Sequence, residues 1–242
     1  MPTPIKIPAM VEEATLHAEG VKSLVLRPLK KCPAFRPGQF LHLAIDPYDP
    51  SFNWPESRVF SIASSPTRRD RLRVVFSVKG TFTKRMYDEI EPGKQLFVKL
   101  PYGRFTFPED GRGIVLIAGG TGITPFISFL EYTIDKGISR KISLFYGFRD
   151  PAHFLFGSFL RECRKTLPGF ELSCFVESGE TASVDDNAEK GIIPVKGVLE
   201  KTGGTDEEIF FLAGPPGMIT SFRDGLSQSG LPTDRIVTDD WE

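Results

Sequence analysis

Gly119, Gly120 and Gly122 follow directly on an unbroken apolar run, Ile114-Val115-Leu116-Ile117-Ala118. Such a run suits a parallel strand covered on both faces. The glycines remove Cβ atoms where the backbone turns sharply and let a bulky ligand approach the main chain. Thr121 and Thr124 add hydroxyls, and Pro125 suits the first turn of a helix, where its missing N–H costs nothing. Free N–H groups at such a helix start form a site for phosphate. A tight strand-to-helix turn with no ligand has the same local pattern. The spacing lacks the third glycine of the dinucleotide fingerprint and the Gly-Lys-Ser/Thr of a P-loop. The decision therefore rests on the remainder of the chain.

Three further segments bear on it. Arg58-Val59-Phe60-Ser61 lies upstream, and a guanidinium there grips a pyrophosphate with two parallel charge-assisted hydrogen bonds. Strand alternation puts Phe60 on the same face as Arg58. Gly80-Thr81-Phe82-Thr83 opens a helical segment. Its N–H groups and the Thr83 hydroxyl suit a phosphate, while Thr83 serves equally as a helix cap. Downstream, Phe211-Leu-Ala-Gly-Pro-Pro-Gly-Met218 places Ala213-Gly214-Pro215-Pro216 at the end of a strand. In open α/β sheets that is the edge at which ligands bind.

In this order, with PGQF (Pro37 to Phe40) ahead of the glycines and PYGRF (Pro101 to Phe105) between, the segments resemble the ferredoxin–NADP reductase superfamily. The match runs from about Val21 to the C-terminus. The first half is most similar to the flavin-reductase halves of ferric reductases, NADPH oxidases and bacterial oxygenase reductases. The resemblance implies a two-domain flavoprotein: an antiparallel β-barrel holding flavin over residues 1–108, then an α/β parallel-sheet domain holding NAD(P) over 109–242. It implies FAD in preference to FMN, NADH or NADPH as co-substrate, and hydride transfer to the flavin. Electrons then pass to a redox-protein acceptor carrying iron–sulfur, haem or another centre.

Residue roles follow from the same resemblance. Arg58, Gly80 and Thr83 would hold flavin phosphate, with Val78 and Phe82 in the same cofactor-binding segment. Phe60 stands where the family usually has Tyr, keeping a stacking face without the hydroxyl; Ser61 would lie near flavin N5. Gly119, Gly120, Thr121, Gly122, Thr124 and Pro125 would hold pyrophosphate and ribose. Gly147, Arg149, Glu177, Ala213, Gly214, Pro215 and Met218 would complete the nucleotide site. Ala213 replaces a frequent Cys near the nicotinamide. Trp241 would cover the flavin face, with Asp239 the carboxylate two residues before it, and these two join Ser61 as candidate catalytic residues. A tail anchor packed in a groove is the other reading of Trp241. Glu177, in Val176-Glu177-Ser178-Gly179-Glu180, favours NADH; Arg149 is the cation that would favour NADPH. Alternatives from other classes stay open: a non-catalytic flavin- or nucleotide-binding subunit, a ferric or free-flavin reductase, and an electron carrier of a hydrogenase or oxygenase.

Composition narrows the field. The chain has 242 residues, 40% hydrophobic, with 21 Phe against 5 Tyr and a formal net charge of −1. That charge gives no electrostatic case for nucleic acid. Cys32, Cys163 and Cys174 are scattered and form no iron–sulfur ligand run, so they read as buried, reduced thiols. His17, His42 and His153 form no metal pattern. No apolar stretch reaches transmembrane length and MPTPIKIPAM lacks a signal-peptide core. The expectation is a cytoplasmic protein without a membrane span.

These residues need elements to position them. VKSLVLRPL, FLHLAID, RVFSIASS, RLRVVFSV and KQLFVKL read as strands broken by Gly and Pro, the pattern of an antiparallel barrel. Gly80 to Ile90 is the helical candidate among them. The second half alternates: strands at Ile114–Ala118, Lys141–Tyr146, Glu171–Val176 and Ile209–Leu212, helices at Pro125–Lys136, Phe154–Lys165 and Pro216–Gln228. Alternation of that kind implies a parallel sheet with crossover helices. The boundary falls in the polar Gly/Pro segment Pro108 to Gly113, and Ser178 to Gly191 reads as an acidic surface loop.

Overall fold

A computed structural model describes residues 3–185, 187–202 and 208–239. The chain divides into two compact units. The first runs to Phe107 and includes the segment Thr124–Asp135; the second holds Pro108–Ile123 and the residues from Lys136 onward.

In the first unit the strands are β1 (Ile5–Ala18), β2 (Val21–Pro28), β3 (Phe40–Ala44), β4 (Ser57–Ser61), β5 (Leu72–Ser77) and β6 (Gln95–Tyr102), with helix α1 (Thr81–Glu89) between the last two. They form one antiparallel sheet in the order β4-β3-β6-β1-β2-β5. Just beyond β4 the Ala63 N–H donates to the Arg73 carbonyl on β5 at 2.8 Å, so the two edges of the sheet meet and the barrel closes. Leu24, Leu26, Leu41, Leu43, Val74 and Val98 fill its interior. Helix α1 adds Phe82 and Met86 to that core, each contributing about 1.5–3 kcal/mol by leaving water. Lys22 on β2 fixes the far end of α1, donating to the carbonyls of Ile90 at 2.7 Å and Tyr87 at 3.0 Å.

Helix α2 (Thr124–Lys136) packs with this unit through its residues up to Asp135. Phe129 stacks on Phe107 with centroids 4.0 Å apart. The buried Glu131 accepts from the Ser65 N–H and from Arg73, each at 2.9 Å. Ser128 donates to the Ser64 carbonyl at 2.7 Å.

The second unit contains β7 (Ile114–Gly119), β8 (Ile142–Phe148), β9 (Phe170–Val176), β10 (Glu189–Lys190), β11 (Ile209–Ala213) and β12 (Ile236–Thr238). All pairings are parallel, in the order β10-β9-β8-β7-β11-β12. Every residue of β7 and β11 is buried, the expected state of central strands in a covered parallel sheet. Helices α3 (Gly157–Thr166), α4 (Val195–Thr202) and α5 (Pro216–Gln228) complete the unit.

Several elements differ from the sequence expectation. Helix α3 begins at Gly157, not Phe154: Phe154 stacks on Phe148 at 5.0 Å, and Phe156 takes a left-handed conformation with φ 58 that cannot continue a helix. The segment read as an acidic loop includes a 3₁₀ turn, Thr181–Ser183, and the short strand β10. Strands β1 and β12 and helix α4 come in addition. The three cysteines are free and buried. Among the described residues no helix is long and apolar enough to cross a membrane.

Candidate functional site

In the parallel unit the chain leaves β7 on the β8 side, continues outward through β9 and β10, and returns on the other side of β7 as β11. The β7/β11 pair is therefore the point where strand order reverses, the position at which open α/β sheets bind ligands beyond their carboxyl ends. Both glycine segments lie there. Ala118 pairs with Ala213, so Gly119 and Gly214 follow side by side.

The glycines divide into two kinds. A Cβ on Gly122 would meet the Ala213 carbonyl oxygen at 2.2 Å, and one on Gly119 would meet Pro215 Cδ at 2.7 Å and Met218 Sδ at 2.8 Å. These two are required by close packing of one strand end on the other. Gly120 is different: its φ is +52 and nothing lies within 4 Å of its Cβ direction, so its open flank is the one that a ligand could approach. Beneath it, the buried Tyr146 donates to the Gly120 carbonyl at 3.2 Å. Burial pushes the Tyr146 hydroxyl well above its ordinary pKa, which keeps it a donor. Sequence reasoning missed Tyr146 because nothing in a strand pattern marks which hydroxyl reaches a neighbouring turn.

Gly147, Pro215 and Asp239 lie on the same edge of the second unit, whereas Thr124 and Pro125 belong to the first. Thr124 and Pro125 are buried in the first turn of α2, after the 3₁₀ turn Gly120–Ile123 that contains Thr121. Gly147 pairs with Gly119. The exposed Pro215 caps α5, and Pro216 follows as its first residue, so α5 offers few N–H donors. Asp239 donates its N–H to Leu212 O at 3.0 Å, which sets it just past β12, beside the end of β11. Trp241 lies outside the described residues. Arg149 and Glu177, both exposed, follow β8 and β9. Lys190 on β10 donates to the Gly179 carbonyl at 2.7 Å, a second cation near Glu177 that the sequence reading did not name.

In the barrel unit, Arg58 stands on β4 with its guanidinium 5.0 Å from the Phe82 ring centroid. It donates to Glu56 Oε1 at 2.7 Å and to the Ser57 carbonyl at 2.9 Å. Phe82 is itself buried, so it serves as a platform under Arg58. Phe60 packs into the barrel core, 8% exposed, with its centroid 6.1 Å from Phe76. Ser61 is also buried, and its hydroxyl makes no hydrogen bond among the described residues. Val78 is half-buried and donates its N–H to Gly20 O at 2.8 Å. The Thr83 hydroxyl accepts from the N–H groups of Lys79 and Gly80, at 2.9 and 3.2 Å, and lies 3.1 Å from Gly80 O, to which it can donate. It caps α1, leaving the first-turn N–H groups as the donors without intrahelical partners. Nothing lies within 4 Å of the Gly80 Cβ direction.

Residues 116–224 match the family model of the oxidoreductase NAD-binding domain. The chain is 31% identical over 232 residues to the reductase component of propane 2-monooxygenase from Rhodococcus jostii strain RHA1, covering 91% of this chain and 60% of that one. It is 29% identical over 226 residues to reductase component 1 of terephthalate 1,2-dioxygenase from a Comamonas species, covering 92% and 64%. The chain thus spans less than two thirds of the length of these curated relatives. In fold it is similar to the flavohem-like FAD/NAD-binding domain of nitric oxide dioxygenase from Vibrio cholerae, with a TM-score of 0.80, 19% identity and coverage of 96% of this chain and 97% of that one. The chain thus carries an oxidoreductase NAD-binding segment and is similar, over most of its own length, to reductase components of oxygenases.

Proposed function

We propose that the chain is an NAD(P)H-dependent flavin oxidoreductase that passes hydride to a bound flavin, FAD in preference to FMN, and electrons onward to a redox protein. The flavin-binding role falls to residues 1–108 and the nucleotide-binding role to residues 109–242. The observation that carries the reading is the position of the two glycine segments on the adjacent ends of β7 and β11, where the strand order reverses.

The barrel fits a flavin. Arg58 is steered by Phe82 to the open flank of α1, Gly80 leaves room for a phosphate, and the buried Ser61 hydroxyl has a hydrogen bond to give. When bound, a flavin supplies the hydride-accepting and electron-releasing chemistry. Arg58 and the first-turn N–H groups of α1 would neutralise its phosphates, and Ser61 would donate to the ring near N5. In the second unit the open flank of Gly120 would receive the nucleotide pyrophosphate, and Asp239 with Trp241 would close the reacting face. NADH is the favoured nucleotide, since Glu177 would accept from a free ribose hydroxyl and repel a phosphate. Two relatives are reductase components of oxygenases, which supports an oxygenase component with an iron–sulfur or haem centre as the acceptor, in the cytoplasm.

The test is direct. Purified protein reconstituted with FAD should turn yellow, bleach on NADH addition without oxygen, and regain colour when an acceptor is added. A protein that retains neither FAD nor FMN, or a bound flavin that NADH and NADPH leave oxidised, would overturn the proposal.

A further inference from the structure

Three side chains at the carboxyl end of β8 form a closed ring. Arg149 Nε donates to Asp150 Oδ2 at 3.1 Å, His153 Nδ1 lies 2.7 Å from Asp150 Oδ1, and Arg149 Nη2 lies 3.0 Å from His153 Nε2. A guanidinium has donors only. Nε2 must therefore carry a lone pair, and Nδ1 the proton that is donated to Asp150. The ring exists with a neutral imidazole alone. A proton on Nε2 would replace the acceptor by a second donor and set two cations 3.0 Å apart.

The ring stands beside the Glu177 segment, proposed above to choose between nucleotides. The Arg149 carbonyl accepts from the Ser178 N–H at 2.7 Å and the Ser178 hydroxyl at 2.9 Å, which fixes Arg149 next to Glu177. A carboxylate there favours a free ribose 2′-hydroxyl, and an arginine there favours a 2′-phosphate. With His153 neutral, the guanidinium is turned back onto its own turn. With His153 protonated, Arg149 keeps one tether on Asp150, and its side chain, 63% exposed, has the freedom to swing out.

Other ionisable groups on the elements packed around the ring are accounted for. The Tyr146 hydroxyl lies 3.5 Å from the His153 carbonyl, not from its ring. Lys190 is held on Gly179 O, and Arg161 of α3 lies over the Phe154 ring at 5.5 Å. Glu177 and Glu180 are exposed in the segment after β9. Among the described residues only Arg149 and Asp150 bond the imidazole.

We infer that Arg149 sets the discrimination between nucleotides with and without a 2′-phosphate, and that His153 is the positioning residue that withholds Arg149 when neutral and releases it when protonated. This rests on the nucleotide-binding reading above.

Binding of adenosine 2′,5′-bisphosphate and of 5′-AMP to the intact protein tests it without depending on hydride transfer. Calorimetry is run at steps from about pH 8 down to about pH 5.5. The bisphosphate should gain on 5′-AMP by roughly fivefold to tenfold as pH falls. The 2′-phosphate itself titrates near pH ~6, so His153→Gln, which keeps an acceptor for Arg149 and cannot titrate, is the control. It should hold the ratio low and free of that rise, and Arg149→Ala should do the same. A wild-type ratio that does not rise, a rise of equal size in His153→Gln, or failure of both nucleotides to bind would overturn the inference. Absence of NADH-driven bleaching with an intact pH-dependent ratio would strike the redox reading alone.

Discussion

The Arg58 guanidinium lies over the Phe82 ring at 5.0 Å, joining strand β4 to the first turn of helix α1. Neither residue alone makes a phosphate site. Phe82 is buried, so the charge above it is held near the N–H groups of the helix start. Glu56 Oε1 pairs with the guanidinium at 2.7 Å, and a bound phosphate would have to displace it.

Arg58→Ala should therefore weaken flavin binding by ten- to hundredfold, the loss of a charge-assisted contact of roughly 1.5–3 kcal/mol. Thermal stability should change little, because the side chain is half-exposed. Fluorescence titration with FAD, alongside melting of the apoprotein, checks both parts. An unchanged dissociation constant would remove Arg58 from the phosphate site.

Much of the architecture is legible in the sequence, for identifiable reasons. Strand β7 and its glycines announce themselves because a fully buried parallel strand is a continuous apolar run and the turn after it needs missing Cβ atoms. Strand β1 hides because Pro8 interrupts it and Glu12-Glu13 sits at a register shift between Val11 and Glu13. Helix α4 hides because it is short and carries Gly197. At the site the limit is directional. Sequence names Thr83 as a phosphate ligand or a cap, and only the backbone geometry shows its hydroxyl committed to Lys79 and Gly80. It places Arg149 near the nucleotide, but the partnership with His153 depends on the 3₁₀ turn Pro151–His153 folding back. The alternation that puts Phe60 beside Arg58 does not reveal that β4 turns this ring into the core.

The two kinds of glycine should separate under substitution. Gly122→Ala drives a Cβ to 2.2 Å from the Ala213 carbonyl oxygen, a backbone clash that no rotamer relieves. It should cost several kcal/mol of stability, about the upper range for single substitutions. Gly120→Ala meets open space and pays for a positive φ, about 1 kcal/mol. It should melt only slightly lower, while nucleotide affinity falls because a methyl group now stands on the open flank. Urea denaturation and nucleotide titration of both variants check this; equal stability losses would contradict the division.

Asp150 makes stability depend on acid. The hydrogen bond from His153, then that from Arg149, hold its carboxyl below the usual carboxylate range against a desolvation that acts the other way. A group whose folded pKa is lowered contributes stability above its unfolded value, near ~3.9, and loses it as pH falls through the lower folded value. Asp150→Asn should therefore flatten the acid limb of the stability curve below about pH 4. Chemical denaturation of both proteins between about pH 3 and pH 7 measures the difference, and parallel curves throughout would show that the carboxylate carries no such linkage.

Glu131 is the buried acid whose removal should be felt furthest. Its carboxylate accepts from the Ser65 N–H and from Arg73, each at 2.9 Å, and has Arg68 at 3.5 Å. Ser65 belongs to the segment that follows Ser61 directly, so α2 holds in place the stretch that fixes the end of β4. Replacing Glu131 by Ala takes the acceptor from a buried N–H and from a partly buried guanidinium, a loss of about 3–5 kcal/mol. Glu131→Gln keeps the shape and one acceptor oxygen and should lose less. Because the disturbed segment continues from Ser61, the Gln variant should also shift the absorption envelope of bound flavin, which a purely global loss of stability would leave unchanged. Denaturation midpoints and flavin spectra of the two variants decide the matter: an Ala variant as stable as the parent would show that α2 is held by its aromatic face alone, through Phe126 and Phe129 against Phe105 and Phe107.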